Sequence, residues 1–125
     1  MTAVTRKIAE FASGIAYEAL PALVRQRAPM LLMDMVGIAI RARHDAESTP
    51  ALIAAAAKLG LDGGKHVVLG DRRGFRPAGA ALVNGTIAHS LDFDDTHAAG
   101  SLHPSAPIVP AALAAAETRA PACAK

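Results

Sequence analysis

The sequence predicts an all-α, helical-bundle-like fold with one short β-prone excursion near residues 65–76. Three observations carry that expectation. Hydrophobic residues make up 52% of the chain and aromatic residues only 3%, so a core must be built from Ala, Leu, Ile, Val and Met. Those side chains suit helix–helix interfaces, and in most segments they recur at three- and four-residue steps. Prolines stand where helices begin, at Pro21, Pro50 and Pro77. At 125 residues there is room for one domain with a single core.

The elements follow in order. Thr2 or Thr5 can cap a first helix whose stripe is Ile8, Phe11, Ala12, Ile15 and Ala19, ending at Leu20-Pro21 because a residue before proline leaves helical geometry. Pro21 opens a short helix through Arg27, and Pro29 repeats the device for a helix from Met30 to about Arg43. That last segment is apolar nearly all round and should be the most buried; Asp34 within it reads as a capped or solvent-edge acid and Gly37 as a close helix crossing. Ser48-Thr49-Pro50 supplies the start of a helix closed by Gly60. Gly63-Gly64 and Gly70 then bracket the β-prone KHVVL, and Asp71-Arg72-Arg73-Gly74 reads as a turn. A helix from Pro77 to Phe93 follows, with Ala80, Val83, Ile87 and Leu91 facing the core. The final helix holds Pro107 and Pro110 in its opening turns and reaches Thr118.

Several function classes are disfavoured. The net charge is +2, from 13 basic and 11 acidic residues, and the basic residues are dispersed; one Tyr and three Phe make no stacking platform, so nucleic acid is not an expected partner. No apolar run spans a bilayer, and Glu10 and Lys7 interrupt any signal-peptide core, so neither membrane nor export is expected. The single cysteine, Cys123, forms no intramolecular disulfide, which fits a reducing cytoplasm. The glycines near residue 64 match neither phosphate-loop pattern.

Chemistry is concentrated between Asn84 and Glu117, NGTIAHSLDFDDTHAAGSLHPSAPIVPAALAAAE. Continued as a helix, this stretch places His89, Asp92 and Thr96 near one face, with Asp94 and Asp95 pointing away. A carboxylate, an imidazole and a hydroxyl together suit binding a polar molecule and moving a proton on it. His103, after a flexible AAGSL link and before Pro104, can fold back over that face. Other readings stay open. The acids and imidazoles include enough ligands for a divalent cation, without the spacing of a specific metal signature. Asp94, Asp95 and Thr96 can instead cap the next segment, and Ser105 the last helix. A Ser101 or Ser105 nucleophile is set aside because no G-x-S-x-G elbow exists.

ALVNGTIAHSLDFDDTH followed by HPSAPIVPAALAAAE resembles the signature of the MmgE/PrpD family, which includes 2-methylcitrate dehydratase, cis-aconitate decarboxylase and iminodisuccinate epimerase. The opening TRKIAEFASGIAYEALPALVRQRAPMLLMDMVGIAI, with its Tyr17 to Pro21 element, is similar to the family's first helices. The resemblance covers essentially the whole chain but only the front of a family member's all-helical domain, the smaller α/β lid being absent. It implies a lyase or isomerase of small polycarboxylates, a carbon–oxygen lyase (dehydratase) first and a decarboxylase or epimerase as alternatives, with no cofactor and no obligatory metal. Carried over, the catalytic residues fall on Asp92, Thr96 and His103, and the substrate-binding and positioning residues on His89, Asn84 and Asp95. Asp94 and His97 count as neighbours. RARHDAES and DRRGFRPAG depart from the family pattern outside the signature. The expectation is a fragment inactive alone that associates as a homodimer; the rival is a catalytically dead helical interaction module.

Overall fold

Glycine and proline set most element boundaries in the computed structural model, which describes residues 3–119. Thr2 as a cap, Cys123 and the PACAK tail lie outside the described residues. The chain divides into two units, Met1–Met30 and Leu31–Lys125.

In the first unit, helix α1 (Ala3–Gly14) stops at its glycine rather than running on to Leu20. A 3-10 turn follows at Tyr17–Ala19, and Leu20, held before Pro21, is extended with φ −67° and ψ 139°. The Arg25 guanidinium lies 5.9 Å from the centre of the Tyr17 ring, and its Nη1 donates to the Glu18 carbonyl at 3.3 Å. Helix α2 (Ala22–Asp45) begins here and is one helix where two were expected, with Pro29 inside it. Proline withdraws one N–H from the Arg25 carbonyl; Arg25 is half-buried and residues 26 to 30 are exposed, so water can take that carbonyl.

In the second unit α2 buries Met35, Ile38, Ala39 and Ala42. It is not the most buried helix, since Met33 and Ile40 remain exposed. Asp34 is exposed, and Gly37 has nothing within 4 Å of where a Cβ would stand, so no close crossing occurs there. Helix α3 (Thr49–Lys58) starts with Pro50 in its first turn; the buried Thr49 hydroxyl donates to the Ala42 carbonyl at 3.0 Å and fastens the helix to α2. Gly60 ends it at φ 68°.

The β-prone excursion is an antiparallel pair, β1 (Asp62–Val67) and β2 (Gly74–Phe75), with a register irregularity between Asp62 and His66. Gly64 and Gly74 face each other so closely that a Cβ on Gly64 would stand 2.1 Å from the Phe75 carbonyl oxygen. In the turn, Asp71 Oδ1 accepts from the Arg73 N–H at 3.0 Å, while its Oδ2 meets Arg43 at 3.1 Å and Arg73 at 2.7 Å. The Arg73 and Arg43 donors hold this carboxyl well below the usual carboxylate range, against the opposing effect of burial.

Helix α4 (Pro77–His89) is the centre of the unit and buries Gly79, Ala80, Val83, Asn84, Ile87 and Ala88. Helix α5 (Ser105–Arg119) packs along it and accommodates Pro110 within its body. At its C-terminal end Thr118 Oγ1 lies 3.0 Å from His66 Nε2, and Glu117 accepts from the Val67 N–H at 3.1 Å, tying α5 to β1. The core collects Met35, Ala39, Ile53, Phe75, Val83 and Ile87 among others, all aliphatic except one ring. No described helix is long and apolar enough to cross a membrane.

Candidate active site

The site forms where α4 ends. His89 is its last residue, four residues before the expected end at Phe93. The Asp92 N–H bonds back to the His89 carbonyl at 3.0 Å, and Asp92 turns left-handed at φ 54°. Aspartate tolerates that conformation better than most residues. Acids at 92, 94 and 95 would also oppose the helix dipole if the helix continued. His89, Asp92 and Thr96 therefore do not share a helical face.

A different grouping results. Asp94, expected to point away, is buried with its side chain 1% exposed, and His89 Nδ1 lies 3.0 and 3.1 Å from its two oxygens. His103 returns from the following loop as expected: its Nδ1 is 3.3 Å from Asp94 Oδ2 and its Nε2 is 3.9 Å from Asp92 Oδ1. The two rings meet edge to face with centroids 4.8 Å apart. One buried carboxylate thus bonds one imidazole and lies beside a second, whose buried Nδ1 makes no hydrogen bond, while Asp92 stays exposed at the rim. Ligand atoms of His89, Asp92, Asp94 and His103 all lie within 4.8 Å of one another, so these four are the residues that could gather around a divalent cation.

The remaining candidates stand outside this cluster. Asp95 Oδ1 accepts from the Ser105 N–H at 3.1 Å and caps α5 from ten residues upstream. Asn84 is buried; its Oδ1 accepts from the Leu69 N–H at 2.8 Å and its Nδ2 donates to the Val67 carbonyl at 2.9 Å. Thr96 is exposed in the loop. His97 shapes the return: its N–H bonds to the Leu102 carbonyl at 2.8 Å, its Nδ1 accepts from the Gly100 N–H, and Ser101 turns left-handed at φ 47°.

Both histidines border an open cleft of about 670 Å³ between α4 and α5, lined also by Leu82, Gly85, Thr86 and Pro107. Small residues let the helices approach here, since a Cβ on Gly85 would stand 3.0 Å from the Ala106 carbonyl oxygen. The cleft is mostly apolar with a few polar groups in its lining, Thr86, His89, Ser90 and His103, an arrangement that orients a small ligand by few contacts.

Comparison with known proteins places these residues in context. The sequence pattern of the MmgE/PrpD N-terminal domain matches residues 6–122. A cis-aconitate decarboxylase-like protein, oryM, of Aspergillus oryzae is 32% identical over 116 residues, which are 93% of this chain and 24% of that protein. No solved structure matches the chain.

Proposed function

The chain belongs to the MmgE/PrpD family, and on that footing we propose that it carries one wall of a lyase or isomerase site for small polycarboxylates. The single observation that supports this most is the pair of imidazoles gathered at buried Asp94, both lining the cleft. Neutral imidazole can take a proton from carbon next to a carboxylate, and its protonated form can return one. In dehydration the pair of electrons left by that proton forms the carbon–carbon double bond as hydroxide leaves from the neighbouring carbon, taking up a proton to become water. In decarboxylation the bond to the departing carboxylate supplies the electron pair, and the imidazolium supplies the proton to carbon.

In this reading His103 transfers the proton, and Asp92 and Thr96 orient substrate or ring; His89, Asn84 and Asp95 position the site. A 2-methylcitrate-like tricarboxylate is the proposed substrate and dehydration the proposed reaction. The name of the Aspergillus oryzae relative favours decarboxylation of a cis-aconitate-like one instead. A cytoplasmic homodimer belongs to the same proposal. The test is to incubate a complete enzyme containing this chain with 2-methylcitrate and with cis-aconitate in deuterated water, following products by NMR. Turnover of either, with deuterium exchange at carbon next to a carboxylate, is expected from the complete enzyme and not from these 125 residues alone. No turnover and no exchange by the complete enzyme would overturn the proposal.

A further inference from the structure

A buried carboxylate is tolerated when donors surround it and is costly otherwise. Among the described residues Asp94 is hydrogen-bonded by the His89 ring and has the His103 ring beside it, so its donor is a ring N–H group; a bare ring nitrogen facing a carboxylate oxygen would set lone pair against lone pair. His89 Nδ1, at 3.0 and 3.1 Å from the two oxygens, therefore carries a proton. His103 Nδ1 is itself buried and makes no hydrogen bond; Asp94 Oδ2 lies 3.3 Å from it, off the line of a hydrogen bond but within reach of a small turn of the ring.

From this we infer that Asp94 is the positioning residue of the site, one carboxylate bonded to His89 and set beside His103 that keeps both rings protonated at Nδ1 and leaves Nε2 of each unprotonated, that of His103 3.9 Å from exposed Asp92. The inference rests on the proton-transfer reading above for its purpose, and it makes His89 a second ring in the working tautomer. Asp94 touches no substrate in this account; it acts through the rings, as a carboxylate behind a histidine does in other proton-transfer sites.

The test is spectroscopic and independent of turnover. The chain labelled with ¹⁵N in histidine is compared with Asp94→Ala, Asp94→Asn and Asp34→Asn by long-range ¹H–¹⁵N spectra, at alkaline pH. Wild type should show both rings with the proton on Nδ1. Asp94→Ala should move the His89 tautomer ratio toward Nε2–H by on the order of tenfold, the scale of one hydrogen bond to a charged acceptor, and the His103 ratio in the same direction by less. Asp94→Asn, whose amide oxygen still accepts one N–H, should spare His89 more than His103 and serves if Asp94→Ala does not fold. Asp34→Asn, at an exposed acid of α2, should leave both ratios unchanged. A wild-type ring protonated at Nε2, or unchanged ratios in folded Asp94→Ala, would overturn the inference. Because tautomers are read without substrate, loss of the enzymatic reading and loss of this one give different results.

Discussion

Replacing Asn84 by alanine separates two roles for a residue that the family resemblance assigns to the substrate. Its amide forms two bonds, to the Leu69 N–H at 2.8 Å and the Val67 carbonyl at 2.9 Å, and so stitches the exit of β1 to α4. Each bond contributes about 1 kcal/mol net, and leaving a partner unsatisfied costs about 1–3 kcal/mol when no water reaches it. Val67 is 53% exposed and Leu69 only partly buried, so water can replace the amide at least at the Val67 carbonyl. The sum therefore falls near the lower end, about 2 kcal/mol. For a chain of this size that corresponds to a fall in Tm of roughly 6–12 °C. Thermal melts and urea titrations followed by circular dichroism measure it, beside a titration with 2-methylcitrate watched by NMR. Asn84→Ala with unchanged stability and lost ligand binding would refute the stitching account and return Asn84 to direct substrate contact.

Other outcomes follow from the same contacts. Asp71 has its folded pKa depressed by Arg73 and Arg43, so its stabilisation is complete above the ordinary carboxylate value and is lost as pH falls through the depressed one. Asp71→Asn should thus lower stability at neutral pH by about 1–3 kcal/mol and converge with wild type in strong acid, as pH-dependent urea midpoints would show. Gly79→Ala should destabilise by about 1–3 kcal/mol, because its Cβ would stand 2.3 Å from the Leu61 carbonyl oxygen. Gly37→Ala, in open space within α2, should stabilise by up to about 1 kcal/mol, and opposite shifts in Tm check the pair. A complete enzyme treated with a chelator should keep its turnover; a loss restored by a divalent cation would recast His89, Asp92, Asp94 and His103 as metal ligands.

What was legible in the sequence was local. Pro50 and Pro77 mark helix starts because a fixed φ and a missing N–H act within one turn, and the paired glycines announce the β excursion through the close backbone approach they permit. Pro29 misled for the complementary reason: loss of one donor is tolerable on an exposed stretch, and proline alone does not report exposure. His103 was found through its place before Pro104 and the flexible link ahead of it. Asp94 was missed because a helical period carried past His89 put it on the wrong side. A signal against that continuation was present in the three acids at what would have been a helix C-terminus. The contact that gives Asp94 its meaning joins it to His103 across a loop, and helical periodicity does not encode such a return. The role of Asp95 as a cap for α5 depends on the same return.

The most direct measurement of the central claim is kcat for a complete enzyme containing this chain, with and without His103→Gln. If His103 moves the proton, kcat falls by about 10²–10⁴-fold with KM changed far less, since the ring would act in the transition state more than in binding. An unchanged kcat in the folded variant would contradict the claim and move the chemistry away from the end of α4.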